Sequence, residues 1–233
     1  MPEVIINEHG QPVGVSVEVT TPEPPPAVPL VGTYATLVLL DAAAHGEQLF
    51  EAFSGAADEA DWTYLPYGPF ESVDDFMSWL FHVEGQTDPM FFTVVDNRDD
   101  TCAGLASYLR IDRYAASVEV GHIHFSRDIQ GTPATTEAMF LMMVNIFAAG
   151  YRRYEWKCDD LNVPSRAAAL RLGFSYEGTF RQATHYKGRN RDTAWFGMTD
   201  QDWHQVRAEF ERWLDPSNFD ADGQQRSPLH NRR

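Results

Sequence analysis

FSRDIQGTPATTEAM, residues 125–139, decides how this chain is read. Upstream, 117–125 (SVEVGHIHF) alternates apolar and polar residues with the period of a strand. Downstream, 138–149 (AMFLMMVNIFAA) is apolar throughout, too long for an ordinary strand, and closed by Gly150. It reads as a buried helix. A turn of Gly, Thr, Pro and Ala joins the two. Thr132 can cap the helix, and Pro133 suits its first position, where a missing N–H costs nothing. Strand, small-residue turn and helix N-terminus together gather free backbone N–H groups and a positive dipole end around one point. That point suits a phosphorylated ligand.

Outward from this turn the chain divides into three parts. Residues 1–32 hold Pro22, Pro24, Pro25, Pro26 and Pro29 and read as an extended arm, with one short hairpin within 7–19. The arm is expected to lie outside the core, on the domain surface or on a partner subunit. From 33 to 214 the pattern is that of a single domain. Strands are expected at 34–40, 90–95, 103–109, 117–125 and 154–158, and a hairpin at 174–186 and 193–198. Helices are expected at 41–53, from Ser72 with Asp75 in a capping-box arrangement, at 138–149, at 164–172 before Gly173, and from Thr199 with Asp202. The last helix carries Trp203, Val206, Phe210 and Trp213 on one stripe. Residues from about 215 are polar and read as a disordered tail.

At 233 residues, 43% hydrophobic and 13% aromatic, the chain can bury a sizeable core. No apolar run reaches the roughly 20 residues of a membrane span. No basic, then apolar, secretory signal opens the sequence, which points to the cytosol. Cys102 and Cys158 give neither a disulfide framework nor a metal spacing. The net charge of −16 argues against nucleic acid as a partner and is compatible with a cationic substrate, or with solubility alone.

Three blocks then carry a resemblance. They are 130–138 (QGTPATTEA), Asn162-Val163-Pro164-Ser165 followed by Arg171-Leu172-Gly173-Phe174, and Glu177-Gly178-Thr179-Phe180-Arg181 with Lys187-Gly188-Arg189. In this order they resemble the GNAT superfamily of acyl-CoA-dependent N-acetyltransferases, in its RimJ/RimL-type branch, over residues 31–214. The resemblance implies an α/β (α+β) fold: a mixed, mostly antiparallel sheet, splayed at the CoA site and flanked by helices. It implies acetyl-CoA as donor, no metal, and an amine acceptor, either a protein N-terminus or a small amine such as an amino acid, polyamine or aminoglycoside. A homodimer is compatible with the arm.

Carried over by position, the resemblance implies that Phe125, Gln130, Gly131, Thr132, Pro133, Ala134, Thr135, Asn162, Ser165 and Arg166 hold the cofactor, with Arg171 an outward-facing companion to Arg166. Acetyl transfer to an ammonium needs a base. Glu119, just before Gly121, is the first candidate for it and Glu155 on the neighbouring strand the second. His122 and His124 are the next choice, packing being the alternative role. Ser165 matches the position that meets the leaving thiolate, or is a first-turn serine bonded to backbone. Asn162 bonds the pantetheine arm or caps a helix. Trp62, Tyr64, Tyr67 and Phe70 line the acceptor groove or form a satellite core. Two residues depart from the family loop. Pro133 deletes an amide at its second glycine, and Asp128 sets an acid where Gln or Arg is usual. They support a second reading, a non-catalytic acyl-CoA-binding or interaction module; a purely structural dimerisation protein is the third.

Overall fold

The computed structural model describes residues 4–18, 20–55, 58–221 and 223–230. Residues 1–3, 19, 222 and 231–233 of the expected arm and tail lie outside that range. Strands β1 (Val4–Ile6) and β2 (Pro12–Gly14) form a separate antiparallel hairpin, exposed along its whole length. β3 (Leu30–Val31) and β4 (Ala35–Leu39) begin an eight-stranded sheet. Helices α1 (Ala42–Phe53) and α2 (Val73–Val83) follow, then the meander β5 (Met90–Asp96), β6 (Thr101–Asp112) and β7 (Ser117–Phe125). Helix α3 (Pro133–Ala148) crosses to β8 (Arg153–Asp159), which lies parallel to β7. Helix α4 (Val163–Arg171), the hairpin β9 (Ser175–Tyr186) and β10 (Arg189–Thr199), and α5 (Asp200–Leu214) complete the order. Across the sheet the strands run β3-β4-β5-β6-β7-β8-β10-β9.

Both faces of the sheet are covered, so its central strands are buried on both sides. Along β5, Met90, Phe92 and Val94 join the layer under α3 and α5, while Phe91 joins the layer under α1 and α2. Helix α3 is apolar all round because it is covered all round. Met139, Met142, Met143 and Ile146 are buried, and Phe140 and Phe147 stack on Phe210 and Trp203 of α5 at 5.1 and 4.9 Å. The expected stripe of α5 is buried, and Thr199 with Asp202 forms a full capping box. At α2 the Ser72 hydroxyl accepts from the Asp75 amide (3.2 Å) but donates to the Asp75 side chain (2.6 Å), so the return bond to backbone is absent.

Three expectations are corrected. Helix α3 starts at Pro133 with Thr132 at the N-cap position, as expected, but the Thr132 hydroxyl donates back to the Ile129 carbonyl (2.7 Å) instead of accepting from the helix. The arm ends before residue 32, and its second half lies on the domain surface, one of its two expected places. Leu30 is buried in the main core, the Tyr151 hydroxyl donates to the Glu23 carbonyl (3.1 Å), and Arg113 Nε donates to the Pro22 carbonyl (2.7 Å). The tail, read as disordered for its polarity, is folded. Asn218 is buried and bonds the Trp213 and Ser227 carbonyls at 2.9 and 3.1 Å, and Leu229 enters the core. Two apolar residues, Leu229 in the core and Phe219 against Tyr34 and Trp213, hold a stretch whose composition is otherwise that of a loop.

Candidate active site

β7 and β8 pair in parallel only from Ser117 with Arg153 to Val120 with Trp156. Beyond that point they diverge, and a cleft opens between Gly121–Phe125 and the end of β8. Opposite β6, His122 and Ile123 of β7 face the single residue Ala106, a bulge. His122 has φ +53°, and Arg110 at the second β6–β7 irregularity has φ +49°. Bulges re-aim side chains and leave a backbone group unpaired. Here they turn Arg110 and His122 into one cavity.

Two cavities meet at the divergence. The first, about 190 Å³, is polar, with Arg110, Glu119, His122, Lys157, Asp159 and Arg191 in its wall. The second, about 450 Å³, lies between the N-terminus of α3 and helix α4, against Phe125, Gln130, Gly131, Thr135, Arg171 and Leu172. Both are walled by Ile123, Trp156, Asn162 and Ser165, so the two adjoin at those four residues.

In the polar cavity the register sets Glu119 beside Glu155, two carboxylates on neighbouring strands. Like charges so placed repel. Lys157 Nζ stands 2.8 Å from each and bridges them, itself 3.8 Å over the Trp195 ring. Arg110 adds a contact to Glu119 at 2.7 Å, and Arg153 one to Glu155 at 2.6 Å. Glu119 is only 3% exposed. Burial raises its pKa above the ordinary carboxylate value, against the pull of Arg110 and Lys157. For Glu155 burial also raises, but bonds from Arg153 and Lys157 outweigh it and hold the carboxyl below the usual range. Glu155 does not line the cavity. The imidazole of His122 is pushed down to about 4 by burial, with Arg110 adding to the effect, and bonds the Tyr67 hydroxyl at 2.9 Å. His124 packs between Phe53 and Trp62, ring centroids 4.2 and 4.1 Å away.

Around the second cavity Asn162 caps α4 by accepting from the Ser165 amide (3.1 Å), and its side chain also lines the junction. Trp156 Nε1 donates to Ser165 Oγ at 3.0 Å. That bond fills an acceptor site on the hydroxyl, which also bonds the Cys158 thiol. Gly131 has φ +75°, and a Cβ there would meet nothing within 4 Å, so the turn has open space beside it. With no side-chain cap, and no amide on Pro133, the N–H groups of Ala134 and Thr135 are left at the α3 terminus.

Not every expected residue reaches the cleft. Arg166 pairs with Asp160 away from the second cavity, whereas Arg171, expected to face outward, lines it and donates to Thr136 Oγ1 at 3.0 Å. Asp128 is exposed and outside the lining. Of the aromatic loop, Tyr64 lines the polar cavity, while Trp62, Tyr67 and Phe70 belong to the α1–α2 core. That loop roofs the cavity through Lys187 Nζ to the Trp62 carbonyl (2.7 Å) and Tyr64 Oη to the Leu161 carbonyl (3.2 Å). Arg110, Lys157, Asp159 and Arg191 were missed. Lys157 alone had a signal, its two-residue spacing from Glu155 on a strand that borders the cleft.

The comparisons agree with this geometry. Residues 36–175 match the model of the acetyltransferase (GNAT) domain family. The crystal structure of a GCN5-related N-acetyltransferase from Brucella melitensis is 42% identical, with a TM-score of 0.88 over 90% of this chain and 96% of that one. That of a probable GNAT-family acetyltransferase from Chromobacterium violaceum is 39% identical, with a TM-score of 0.76 over 83% and 99%. The microcin C7 self-immunity acetyltransferase MccE, solved with acetyl-CoA and AMP, shares the fold at 20% identity and a TM-score of 0.63 over 72% and 93%. No match was found among curated proteins.

Proposed function

The chain belongs to the GNAT acetyltransferase family, and from that premise we propose that it transfers an acetyl group from acetyl-CoA to a primary amine. The observation that carries this reading is the meeting of the two cavities at Ile123, Trp156, Asn162 and Ser165. One cavity has the open turn and helix terminus that suit a pyrophosphate. The other has the carboxylate that suits an ammonium.

Acetyl-CoA would lie in the second cavity, its phosphates at Gly131, Ala134 and Thr135 with Arg171 nearby, and its pantetheine arm against Asn162. Thr132, Pro133 and Phe125 shape the turn more than they bond. The amine would enter the polar cavity as an ammonium and give a proton to Glu119, which Arg110 and Lys157 keep available as an anion despite burial. The freed amine attacks the thioester carbonyl, and an unpaired amide of the β7 bulge is placed to stabilise the oxyanion. Ser165, its oxygen already bonded by Trp156, offers its proton to the departing thiolate. The blocks at 130–138, 162–174 and 177–189 support placement in the RimJ/RimL-type branch.

A thiol-release assay with acetyl-CoA against amine and N-terminal peptide libraries tests this, with calorimetry of acetyl-CoA on the same sample. Turnover with at least one amine is expected. Tight acetyl-CoA binding with no turnover on any amine would favour the non-catalytic module, and no binding would sink both.

A further inference from the structure

The guanidinium of Arg191 lies in the wall of the polar cavity. Its Nε is closed off from solvent and finds no hydrogen-bond acceptor among the described residues. Among the described residues no ion pair forms with it. Its Cζ stands 5.8 Å from the Tyr186 ring centroid, a loose contact. The other cations in that wall are engaged, since Arg110 and Lys157 both hold Glu119. In the same wall Asp159, 5% exposed, accepts from Tyr186 Oη (2.8 Å) and the Leu161 amide (2.9 Å) but pairs with no cation.

A buried donor without a partner is costly, and folds keep such groups where a ligand completes them. Here a half-buried cation with its Nε closed off and a buried anion, neither ion-paired among the described residues, share one cavity that borders the transfer junction. Their combined demand is a zwitterion. A protein N-terminus supplies the amine but no neighbouring carboxylate, and a polyamine supplies only cations. Either leaves Arg191 unpaired. The planar guanidinium fork matches a carboxylate.

We propose that the acceptor is a free amino acid whose carboxylate is held by Arg191, its ammonium end meeting Asp159 and Glu119. This rests on the acetyltransferase reading for what happens to the amine, but the binding claim is separable.

The test titrates free L-amino acids, their C-terminal amides and short peptides into the full chain loaded with desulfo-CoA, followed by calorimetry. Thiol release from acetyl-CoA is measured on the same panel. At least one free amino acid should bind, with its amide roughly ten- to a hundredfold weaker, the worth of a charge-assisted pair. Arg191→Gln should bring the acid down to the level of the amide while desulfo-CoA affinity stays unchanged, and Arg191→Lys should fall between. Equal affinity for acid and amide, binding of neither, a preference that survives Arg191→Gln, or peptides bound ahead of every free amino acid would overturn the assignment. The acid–amide comparison on the unmutated chain decides even if a variant misfolds. Binding of the acid without thiol release would leave Arg191's role standing and sink the acetyl transfer.

Discussion

Glu119 and Glu155 stand side by side on parallel strands, and Lys157 between them is what keeps the pair usable. If Glu119 is the base, Glu119→Gln should keep acetyl-CoA affinity and lower turnover by roughly 10²- to 10⁴-fold at pH 7, with the deficit shrinking as pH rises and free amine appears. A variant with near-normal turnover would clear Glu119 of the role. Burial raises its pKa, so activity should be lost as pH falls through a value above the ordinary glutamate's, about 4.3. Lys157→Met should move that acid limb further up. His122 has the opposite sign. Its folded pKa lies near 4, below the unfolded value of about 6.5. Its contribution to stability is therefore complete above about 6.5 and lost as pH falls towards 4. Urea melts at pH 7 and 5 should show that loss, and His122→Gln should remove part of it. Glu119 was legible because it sits in a strand just ahead of Gly121 and the phosphate turn. Arg110 and Arg191 were not, because the backbone irregularity that aims Arg110 leaves no trace in composition, and because Arg191 enters the cavity through a hairpin register that only pairing defines.

At the scale of elements, hydrophobic period recovered the central strands and the four longer helices, since burial on one or both faces is what those patterns record. It missed contacts made by single polar residues. Glu137, on the first turns of α3, is buried and accepts from the amides of Thr33, Tyr34 and Ala35 at 2.9, 2.5 and 2.8 Å. It fastens the start of β4 to the helix that begins at the candidate phosphate turn. Thr136-Glu137-Ala138, which closes the block at 130–138, is a helix start in the resemblance, and its Glu does structural work. Glu137→Ala strands three amides and should cost on the order of 3 kcal/mol or more in chemical denaturation. The C-terminal segment was misread for the same reason. Its polar side chains bond to backbone, and only Leu229 and Phe219 report a core. Limited proteolysis should spare 215–230 while cutting in the exposed hairpin near the N-terminus. Leu229→Ala should destabilise by about 2–3 kcal/mol with secondary structure unchanged.

The whole molecule carries a net charge of −16, and its compact state works against that self-repulsion. Moderate salt should therefore raise the melting temperature, measured between roughly 10 and 200 mM, where the screening length falls from about 30 Å to below 10 Å. A melting point that falls over this range would mean that the ion pairs around Glu119 and Arg153 matter more than the global charge. The folded segment 215–230 has one further consequence, for labelling. Phe219, Gly223, Gln224 and Gln225 wall a third hollow beside Gly131, Pro133 and Arg171, at the mouth of the candidate cofactor site. A fluorophore or affinity tag attached at Gln224 would therefore stand at the entrance through which the donor is meant to pass, and donor affinity is the reading it would disturb.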